Sequence, residues 1–382
     1  MNLGGVIPER TSAQARVRGG NRRDVLQLVH SGHGTATRAG VARATGLTSA
    51  TVSSIVAELV EAGLVEHAGR ADSTGGKPAT SLRVRTDAVV LGAMIVRRHS
   101  IRTAVLDLEG NLLTELPRLQ SATVMTVDDM RAALIGLVDA AELPLLGIGI
   151  DLPGALSDGV IIKSIQLQMH NVPLTELLAD LAPCPLHLIN DAHADALREY
   201  SLDPPDDETL FSLSLGAGVG GAVILGGAPH SGPRSLAGEI GHVRVDFSDD
   251  APQCICGRYG CLERLVALPR LLDLDDDRLV DSDNASAFDL PDSARTARAS
   301  QLMARALIMV CATVDARTVV INGAAPKLGP AFLSALQTNC DALSPIGTEP
   351  LKLRYATGAV ELPFRGAAEH VLRQTLGINW SH

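Results

Sequence analysis

Three cysteines lie within eight positions of a chain that contains six in all. The stretch CICGRYGCLER places Cys254, Cys256 and Cys261 close together. Thiols at this spacing suit a disulfide bond, a metal site, or no shared chemistry. In a reducing compartment a cysteine cluster binds metal or takes part in catalysis more often than it forms a disulfide. The choice among these alternatives depends on the rest of the chain.

Length and hydropathy indicate the class of protein. A chain of 382 residues is long enough for two or three domains with a large apolar core. No basic start leads into an apolar run, and no segment approaches the roughly 18 consecutive apolar residues of a membrane span. The sequence therefore predicts a soluble, cytoplasmic protein without a membrane partner.

Charge is distributed unevenly along the chain. Residues 1–85 contain eleven Lys and Arg against six Asp and Glu, a net charge of +5. Because the whole chain carries −10, residues 86–382 carry −15. A basic head on an acidic body is typical of proteins that contact phosphates, although a solvated basic surface gives the same count.

The basic head has the pattern of a helix-turn-helix. NRRDVLQLVHS (21–31) and TRAGVARATG (37–46) predict two helices, and a third is predicted over 48–62 with Thr48 as its N-cap and Gly63 just after its end. One face of the third helix is apolar, and its other face begins with small or short polar side chains that let a DNA backbone come close. We predict that this second face enters a major groove, with Ser49, Ala50, Thr51, Ser53 and Ser54 as DNA-binding residues.

Two predicted strands follow the third helix. LVEHAGR (64–70) and PATSLRV (78–84) are joined by ADSTGGK, as in a β-wing. The segment resembles the winged helix-turn-helix heads of bacterial repressors, and GGKPA resembles the stretch that reaches toward the minor groove in many of them. Arg70 and Lys77 are therefore predicted to contact DNA phosphates. Three helices that pack on a partner domain are the alternative.

The body, from residue 86 onward, alternates apolar strand-like runs with glycine turns and helical segments. Strand–turn–strand units recur in both halves, in IRTAVLDLEGNLL and LFSLSLGAGVGGAVILGG for example. This pattern predicts an α/β fold, and the repetition predicts two lobes with a ligand cleft between them.

Three motifs of the body occur in the order that is typical of the ROK family of repressors and sugar kinases. SLGAGVGGAVILGG is followed by AGEIGHVRV and then by CICGRYGCLER. The resemblance to that family extends over about residues 86–375. It implies a two-lobed body of the sugar kinase-like, actin-like ATPase fold, and the winged head is similar to that of the family's regulators.

The resemblance also accounts for the cysteines. In the ROK family a His in a Gly-Glu-Ile-Gly-His stretch joins three cysteines to bind zinc, and the matching residues here are His242, Cys254, Cys256 and Cys261. One imidazole and three thiolates form a closed tetrahedral set, so the zinc would be structural. Unligated core cysteines are the alternative.

The resemblance further implies a sugar site beside the zinc. Two glutamates adjoin the metal ligands in sequence, and INDAHADAL resembles the family's Asn-Asp-Ala-Asn segment, with His193 in place of the second Asn. Carboxylate and amide groups at these positions hydrogen-bond sugar hydroxyls, and in the kinases the aspartate is the general base. The predicted sugar-binding residues are Asn190, Asp191, Glu239, His242 and Glu263, with Gln166 as a weaker candidate. Surface ion pairs for the glutamates and a helix cap for Asn-Asp are the alternatives.

The nucleotide side departs from the family pattern. ROK kinases carry Asp-x-Gly-Gly-Thr, which cradles phosphate, where this chain has Ile95-Val96-Arg97-Arg98-His99. Ala217 replaces a threonine in the second glycine turn, and INGAAP has fewer glycines than the adenosine side of the kinases. Three departures from the family pattern on the nucleotide side indicate a protein that binds sugar without phosphorylating it. We therefore predict no catalytic residue.

We therefore predict a homodimeric or larger transcriptional repressor of the ROK type. Residues 1–85 form the DNA-binding domain, and 86–382 form the sugar-sensing body, with one lobe over about 86–189 plus the C-terminal segment and another over about 190–360. Its partners are an operator in double-stranded DNA and a sugar or sugar derivative. An active sugar kinase with an added head is the first alternative, and a regulator whose body binds a phosphotransferase protein is the second.

Overall fold

The computed structural model describes residues 13–70, 80–272, 293–344, 349–357 and 362–380. The chain forms two compact units. Unit 1 comprises Met1–Leu152, Pro173–Ile189 and Ala367–His382, and unit 2 comprises Pro153–Val172 and Asn190–Gly366. The N-terminal head therefore shares unit 1 with the first part of the body, and the predicted domain boundaries at 85 and 189 remain predictions.

The head is a winged helix, as predicted. Its elements, in chain order, are α1 (Ala13–Ser31), β1 (Ala36–Thr37), α2 (Arg38–Thr45), α3 (Ser49–Glu61), β2 (Val65–Arg70) and β3 (Thr80–Val84). Strands β2 and β3 pair antiparallel, and β1 adds a short third strand to the sheet. Helix α1 begins eight residues before the predicted start at 21, because Gly19-Gly20 interrupts the helical pattern of the sequence without ending the helix.

Local capping fixes the ends of α3, the third helix of the head. The Thr48 hydroxyl accepts a hydrogen bond from the Thr51 amide at 3.2 Å, which confirms Thr48 as N-cap. Gly63 has a positive φ of 74° just beyond the helix end. The predicted apolar face is buried at Val52, Ile55, Val56 and Leu59, whereas Val60 is only partly buried.

The rest of unit 1 is built on a mixed sheet. Its strands are β4 (Val90–Arg97), β5 (Ser100–Leu106), β6 (Leu112–Glu115), β7 (Leu119–Gln120), β8 (Leu145–Leu152) and β12 (Leu186–Asn190). The order is β12-β8-β4-β5-β6, with β4 parallel to β8 and antiparallel to β5, and β7 also pairs with β5. Helices α4 (Val127–Ala140) and α5 (Leu174–Leu178) lie between these strands in sequence.

Unit 2 repeats the same topology. Its main sheet has the order β15-β14-β13-β16-β17, with β13 antiparallel to β14 and parallel to β16. A hairpin followed by a parallel neighbour is thus present in both units, as the repeated motifs predicted. The strands are β13 (Leu210–Leu215), β14 (Val219–Leu225), β15 (Ala228–His230), β16 (Thr318–Gly323) and β17 (Lys352–Tyr355), and a small antiparallel sheet adds β9 (Ala155–Ser157), β10 (Val160–Ser164) and β11 (Met169–Val172).

The remaining helices complete unit 2 and return the chain to unit 1. They are α6 (Asp191–Leu202), α7 (Leu262–Val266), α8 (Leu268–Leu271), α9 (Ser293–Val314), α10 (Gly329–Leu343) and α11 (Arg365–Thr375). Within the described ranges, one segment, Ala294–Val314, is long and apolar enough to cross a membrane. Its buried residues Leu302, Met303 and Leu307 belong to the core of unit 2, which accounts for its apolar composition.

Candidate metal centre and effector site

Four side chains converge at the predicted metal site. The ligand atoms of His242, Cys254, Cys256 and Cys261 all lie within 4.8 Å of one another. The Cys256 and Cys261 Sγ atoms are 3.7 Å apart, and the same distance separates the Cys254 Sγ from the His242 Nδ1. A tetrahedral site with metal–sulfur bonds of about 2.3 Å has sulfur atoms about 3.8 Å apart. The four side chains therefore have the spacing of a closed tetrahedral metal site.

A tight loop brings the three thiols together. The Cys254 amide donates to the Arg258 carbonyl at 2.7 Å, and the Gly257 amide donates to the Cys254 carbonyl at 2.9 Å. Gly260 has a φ of 70°, and a Cβ there would lie 2.0 Å from the Asp246 carbonyl oxygen. Only glycine fits at this position, so the glycine in the motif is what allows Cys261 to turn back toward Cys256.

Burial stabilises the protonated form of one thiol in the cluster, that of Cys254. Cys254 is 4% exposed, and burial raises the pKa of its thiol to about 12. Thiolates are the form that binds metal, so a cation at the centre must displace a proton from this group. A divalent ion of the zinc type supplies that charge and accepts the sulfur-rich ligand set.

The second ring nitrogen of His242 faces Glu239, a residue predicted to bind the sugar. Its Nδ1 points to Cys254, whereas its Nε2 lies 3.9 Å from a carboxylate oxygen of Glu239. With Nδ1 on a metal, Nε2 carries the ring proton and is directed at this carboxylate. The Glu239 side chain is 44% exposed, so its oxygens remain accessible to a ligand.

Glu263 joins the metal cluster to the second glycine turn. One carboxylate oxygen lies 3.8 Å from the Cys254 Sγ, and the other accepts a hydrogen bond from the Val219 amide at 3.1 Å. A Cβ at Gly218 would lie 3.0 Å from Glu263 Oε2 and 3.6 Å from Gln166 Nε2. The absence of a side chain at Gly218 therefore lets Glu263 and Gln166 approach the same turn.

The Asn-Asp pair forms the start of helix α6. The Asn190 Oδ1 accepts from the Ala192 and His193 amides at 3.0 and 3.3 Å, and its Nδ2 donates to the Gly154 carbonyl at 3.0 Å. Asn190 is thus an N-cap that also holds the Pro153-Gly154 turn. Asp191 is the first residue of the helix and accepts from the Ala192 amide at 3.0 Å. A ligand contact for either residue remains a prediction.

His193 is a half-buried neutral base within the same segment. Burial, with a smaller contribution from His230, lowers the pKa of its imidazole to about 4. Its Nε2 is buried and has no hydrogen-bond partner in the part of the chain that the structure describes. At neutral pH this ring therefore adds no positive charge beside Asp191.

An ion pair lies at the turn over residues 95–99, where ROK kinases carry the phosphate-binding motif. Sequence analysis did not predict this pair. The Arg97 guanidinium donates to both oxygens of Asp151, at 2.8 and 3.2 Å, and to the Val96 carbonyl at 3.0 Å. The Asp151 side chain is only 3% exposed. A lone aspartate in the apolar strand LLGIGIDL was the available signal, because a buried carboxylate needs a partner.

The predicted DNA-binding face of the head is open to solvent. Ser49, Ala50, Ser53 and Ser54 are exposed, and Thr51 is half-buried with its hydroxyl 2.9 Å from that of Thr48. Arg70 ends strand β2, whereas Lys77 and the GGKPA stretch lie outside the described residues. Small exposed side chains at the start of α3 leave room for a close approach by a groove edge.

Sequence comparisons match both parts of the chain. Residues 93–358 match the ROK family and residues 20–74 match the MarR family. A xylose repressor from Caldicellulosiruptor bescii is 29% identical over 248 residues, which are 62% of this chain and 61% of the relative. An N-acetylmannosamine kinase from Escherichia coli O157:H7 is 30% identical over 236 residues, 59% of this chain and 78% of the kinase. The chain thus spans less than two thirds of the xylose repressor.

Solved structures share the fold. A ROK family transcriptional regulator, a homolog of the E. coli MLC protein, superposes with a TM-score of 0.77 over 94% of this chain and 98% of its own, at 20% identity. A ROK hexokinase from Thermus thermophilus gives a TM-score of 0.61 over 74% of this chain and 97% of its own, at 25% identity. The first match covers nearly the whole chain, whereas the second covers about three quarters of it. With a family match that covers most of its length, this chain is a member of the ROK family.

Proposed function

We propose that this protein is a DNA-binding transcriptional repressor whose ROK body binds a sugar or sugar derivative. The observation that carries the proposal is the winged-helix head, with the exposed polar face of α3, on a ROK body. The basic charge of residues 1–85 supports contact with phosphates. A homodimer in the cytoplasm is part of the proposal, because two heads are needed to read a palindromic operator.

The proposed effector site lies beside the zinc centre. Glu239 and His242 share the metal loop, and Glu239 keeps accessible oxygens. Asp191, at the first turn of α6, is the third proposed ligand, because a carboxylate there accepts hydrogen bonds from sugar hydroxyls. Glu263 and Asn190 already hold protein amides, so we propose that they position the site as much as they contact the sugar.

An active sugar kinase is the second candidate, and one observation favours it. Curated N-acetylmannosamine kinases are 30% identical to the body, and Asp191 stands where the family's general base lies. Against it, Arg97 fills its turn and is paired to a buried carboxylate, so the backbone offers no glycine cradle for phosphate. We therefore propose a sensor without phosphoryl transfer.

The proposal is tested by two measurements on the full chain. A thermal-shift screen covers pentoses, hexoses and N-acetylhexosamines, beginning with D-xylose and N-acetylmannosamine because relatives are named for them. A sugar that binds the folded state raises its melting temperature. An operator selected from random duplexes is then titrated in a gel shift with and without that sugar.

Asp191→Ala provides the control for these measurements. The variant should bind the operator normally and remain bound when the sugar is added. Release of the variant at the sugar concentration that releases wild type would show that Asp191 is not part of the sensor. Failure of the wild type to select any duplex would overturn the repressor itself.

A further inference from the structure

Ser54, on the predicted DNA-binding face of α3, is hydrogen-bonded to a carboxylate one turn further along the helix. Its hydroxyl donates to the Glu58 Oε1 at 3.3 Å, and Ser54 itself is exposed. A spacing of four residues places the two side chains on the same face of a helix. Glu58 is therefore close enough to this face to control how Ser54 presents its hydroxyl.

The chemistry of the two groups fixes the direction of this hydrogen bond. A carboxylate has no proton to donate, and a serine hydroxyl has only one. The Ser54 proton is therefore directed at Glu58, and the lone pairs of its oxygen remain for other partners. The Thr51 hydroxyl differs, because it lies 2.9 Å from the Thr48 hydroxyl and either of these two groups can be the donor.

An arginine of the first helix also binds Glu58. The Arg18 guanidinium donates to the same Oε1 atom that accepts from Ser54, so Glu58 bridges α1 and α3. The Glu58 side chain is 34% exposed. The positive charge of Arg18 offsets that of the carboxylate, which would otherwise repel the phosphates of a bound duplex. Glu58 is thus compatible with a surface that approaches DNA.

We propose that Glu58 makes Ser54 selective for bases that carry an amino group. This inference rests on the proposed function and names a specificity determinant of its DNA-binding site. In the major groove adenine N6 and cytosine N4 are donors, whereas guanine and thymine present only acceptors. A serine with a free proton contacts either kind of base. With its proton held by Glu58, Ser54 accepts a hydrogen bond from adenine or cytosine and has no proton for guanine or thymine, so Glu58 is a positioning residue that acts through Ser54.

The test starts from duplexes that the full chain selects from a random-sequence library. The base pair that Ser54 contacts is the position at which Ser54→Ala loses the preference of wild type. Four duplexes with the four possible base pairs at this position are then titrated. For wild type they should fall into two groups, adenine or cytosine against guanine or thymine on one strand, with affinities about 5-fold or more apart.

Removal of one amino group tests the direction of the hydrogen bond. In the preferred duplex with an adenine–thymine pair, purine replaces adenine and so removes only the N6 amino group. Wild type should bind the purine duplex about 5-fold more weakly, whereas Ser54→Ala should bind both duplexes alike. Glu58→Ala should bind the four natural duplexes within about 2-fold of one another, because the freed Ser54 proton can be donated to guanine or thymine.

Two variants are the matched controls. Glu61→Ala removes an exposed carboxylate from the same helix, and the Glu61 side chain has no hydrogen bond or ion pair with any residue that the structure describes. Arg18→Ala removes the ion pair to α1 and leaves the bond between Ser54 and Glu58. Both change the charge of the head and so shift the affinity for all duplexes, but both should keep the two groups apart. Melting curves establish that each variant is folded.

Each outcome decides between the two proposals. If wild type selects no duplex, the repressor proposal fails, and this inference fails with it. If wild type selects a duplex, the repressor proposal stands. The inference is then wrong if Ser54→Ala changes the preference at no position, if the four duplexes do not divide into these two groups, or if wild type binds the purine duplex as tightly as the adenine duplex. A Glu58→Ala variant that keeps the two groups also overturns it, as does loss of the groups in Glu61→Ala or Arg18→Ala.

Discussion

Removal of Arg97 should destabilise unit 1 because it takes two charge-assisted hydrogen bonds away from the buried Asp151 carboxylate. The guanidinium makes two hydrogen bonds to this carboxylate, whose side chain is 3% exposed. Breaking a buried ion pair from one side costs about 3–5 kcal/mol. The Arg97 side chain is 28% exposed, so solvent screens part of the interaction, and we expect Arg97→Ala to cost about 2–3 kcal/mol.

Removal of Asp151 should lower the free energy of unfolding less than removal of Arg97 does. In Asp151→Ala the guanidinium keeps its hydrogen bond to the Val96 carbonyl and reaches solvent, so the expected loss is about 1–2 kcal/mol. The neighbouring pair of Arg102 and Glu115 is the control, with side chains 22% and 35% exposed. Arg102→Ala should cost about 0.2–1 kcal/mol, as exposed ion pairs do.

Trp380 makes the measurement specific for unit 1. It is the only tryptophan of the chain, it is 2% exposed, and it belongs to the same unit as Arg97 and Asp151. Urea unfolding followed by its fluorescence therefore reports the free energy of unfolding of that unit. Equal losses in Arg97→Ala and Arg102→Ala would refute the reasoning, since they would show that the burial of Asp151 has no energetic consequence.

Four further predictions follow from the sites. Metal analysis should find about one zinc per chain, and Cys256→Ser should lose it; full occupancy in that variant would contradict the ligand set. Sugar-dependent ADP formation should not exceed a no-protein control, and turnover abolished by Asp191→Ala would favour the kinase instead. Operator affinity should fall steeply as the salt concentration rises. Arg70→Ala and Lys77→Ala should weaken binding to all DNA sequences alike, whereas substitutions at Thr51 or Ser53 should change which base pairs are preferred, as measured by titration of mutated operators. Burial lowers the pKa of His193 from 6.5 to about 4, so between these pH values the unfolded state binds more protons than the folded state. The free energy of unfolding should therefore fall as pH drops from 6.5 toward 4. In urea unfolding over this pH range, His193→Asn should show a smaller decrease in that free energy than wild type.

Local patterns predicted the head and the metal cluster well. Capping by Thr48, the glycine after α3 and the apolar face of that helix depend on residues a few positions apart, and the structure confirms all three. The four metal ligands were grouped by a resemblance between motifs, and their side chains do converge. In each case the determinants lie close together in the sequence or in a known motif.

Long-range partners were not predictable in the same way. The partner of Arg97 is 54 positions away on a parallel strand, and the partners of Gln27 and Trp380 lie more than 250 positions away. Such contacts depend on sheet order and on the path of the C-terminal helix, which hydropathy does not encode. The helical stretch before residue 21 was missed for a different reason, since two glycines lower local propensity without preventing a helix that tertiary contacts stabilise.

The ion pair between Arg97 and Asp151 makes the turn at residues 95–99 costly to change one residue at a time. Recovery of a glycine cradle requires new residues at Arg97, Arg98 and His99 and an acid at Ile95. The first substitution that removes Arg97 takes two hydrogen bonds from a buried carboxylate, and a marginally stable fold loses a large fraction of its free energy of unfolding before any phosphate contact exists. A redesign that aims at a glycine turn over residues 95–99 must therefore replace Asp151 together with Arg97, because single substitutions at Arg97 lower the free energy of unfolding first.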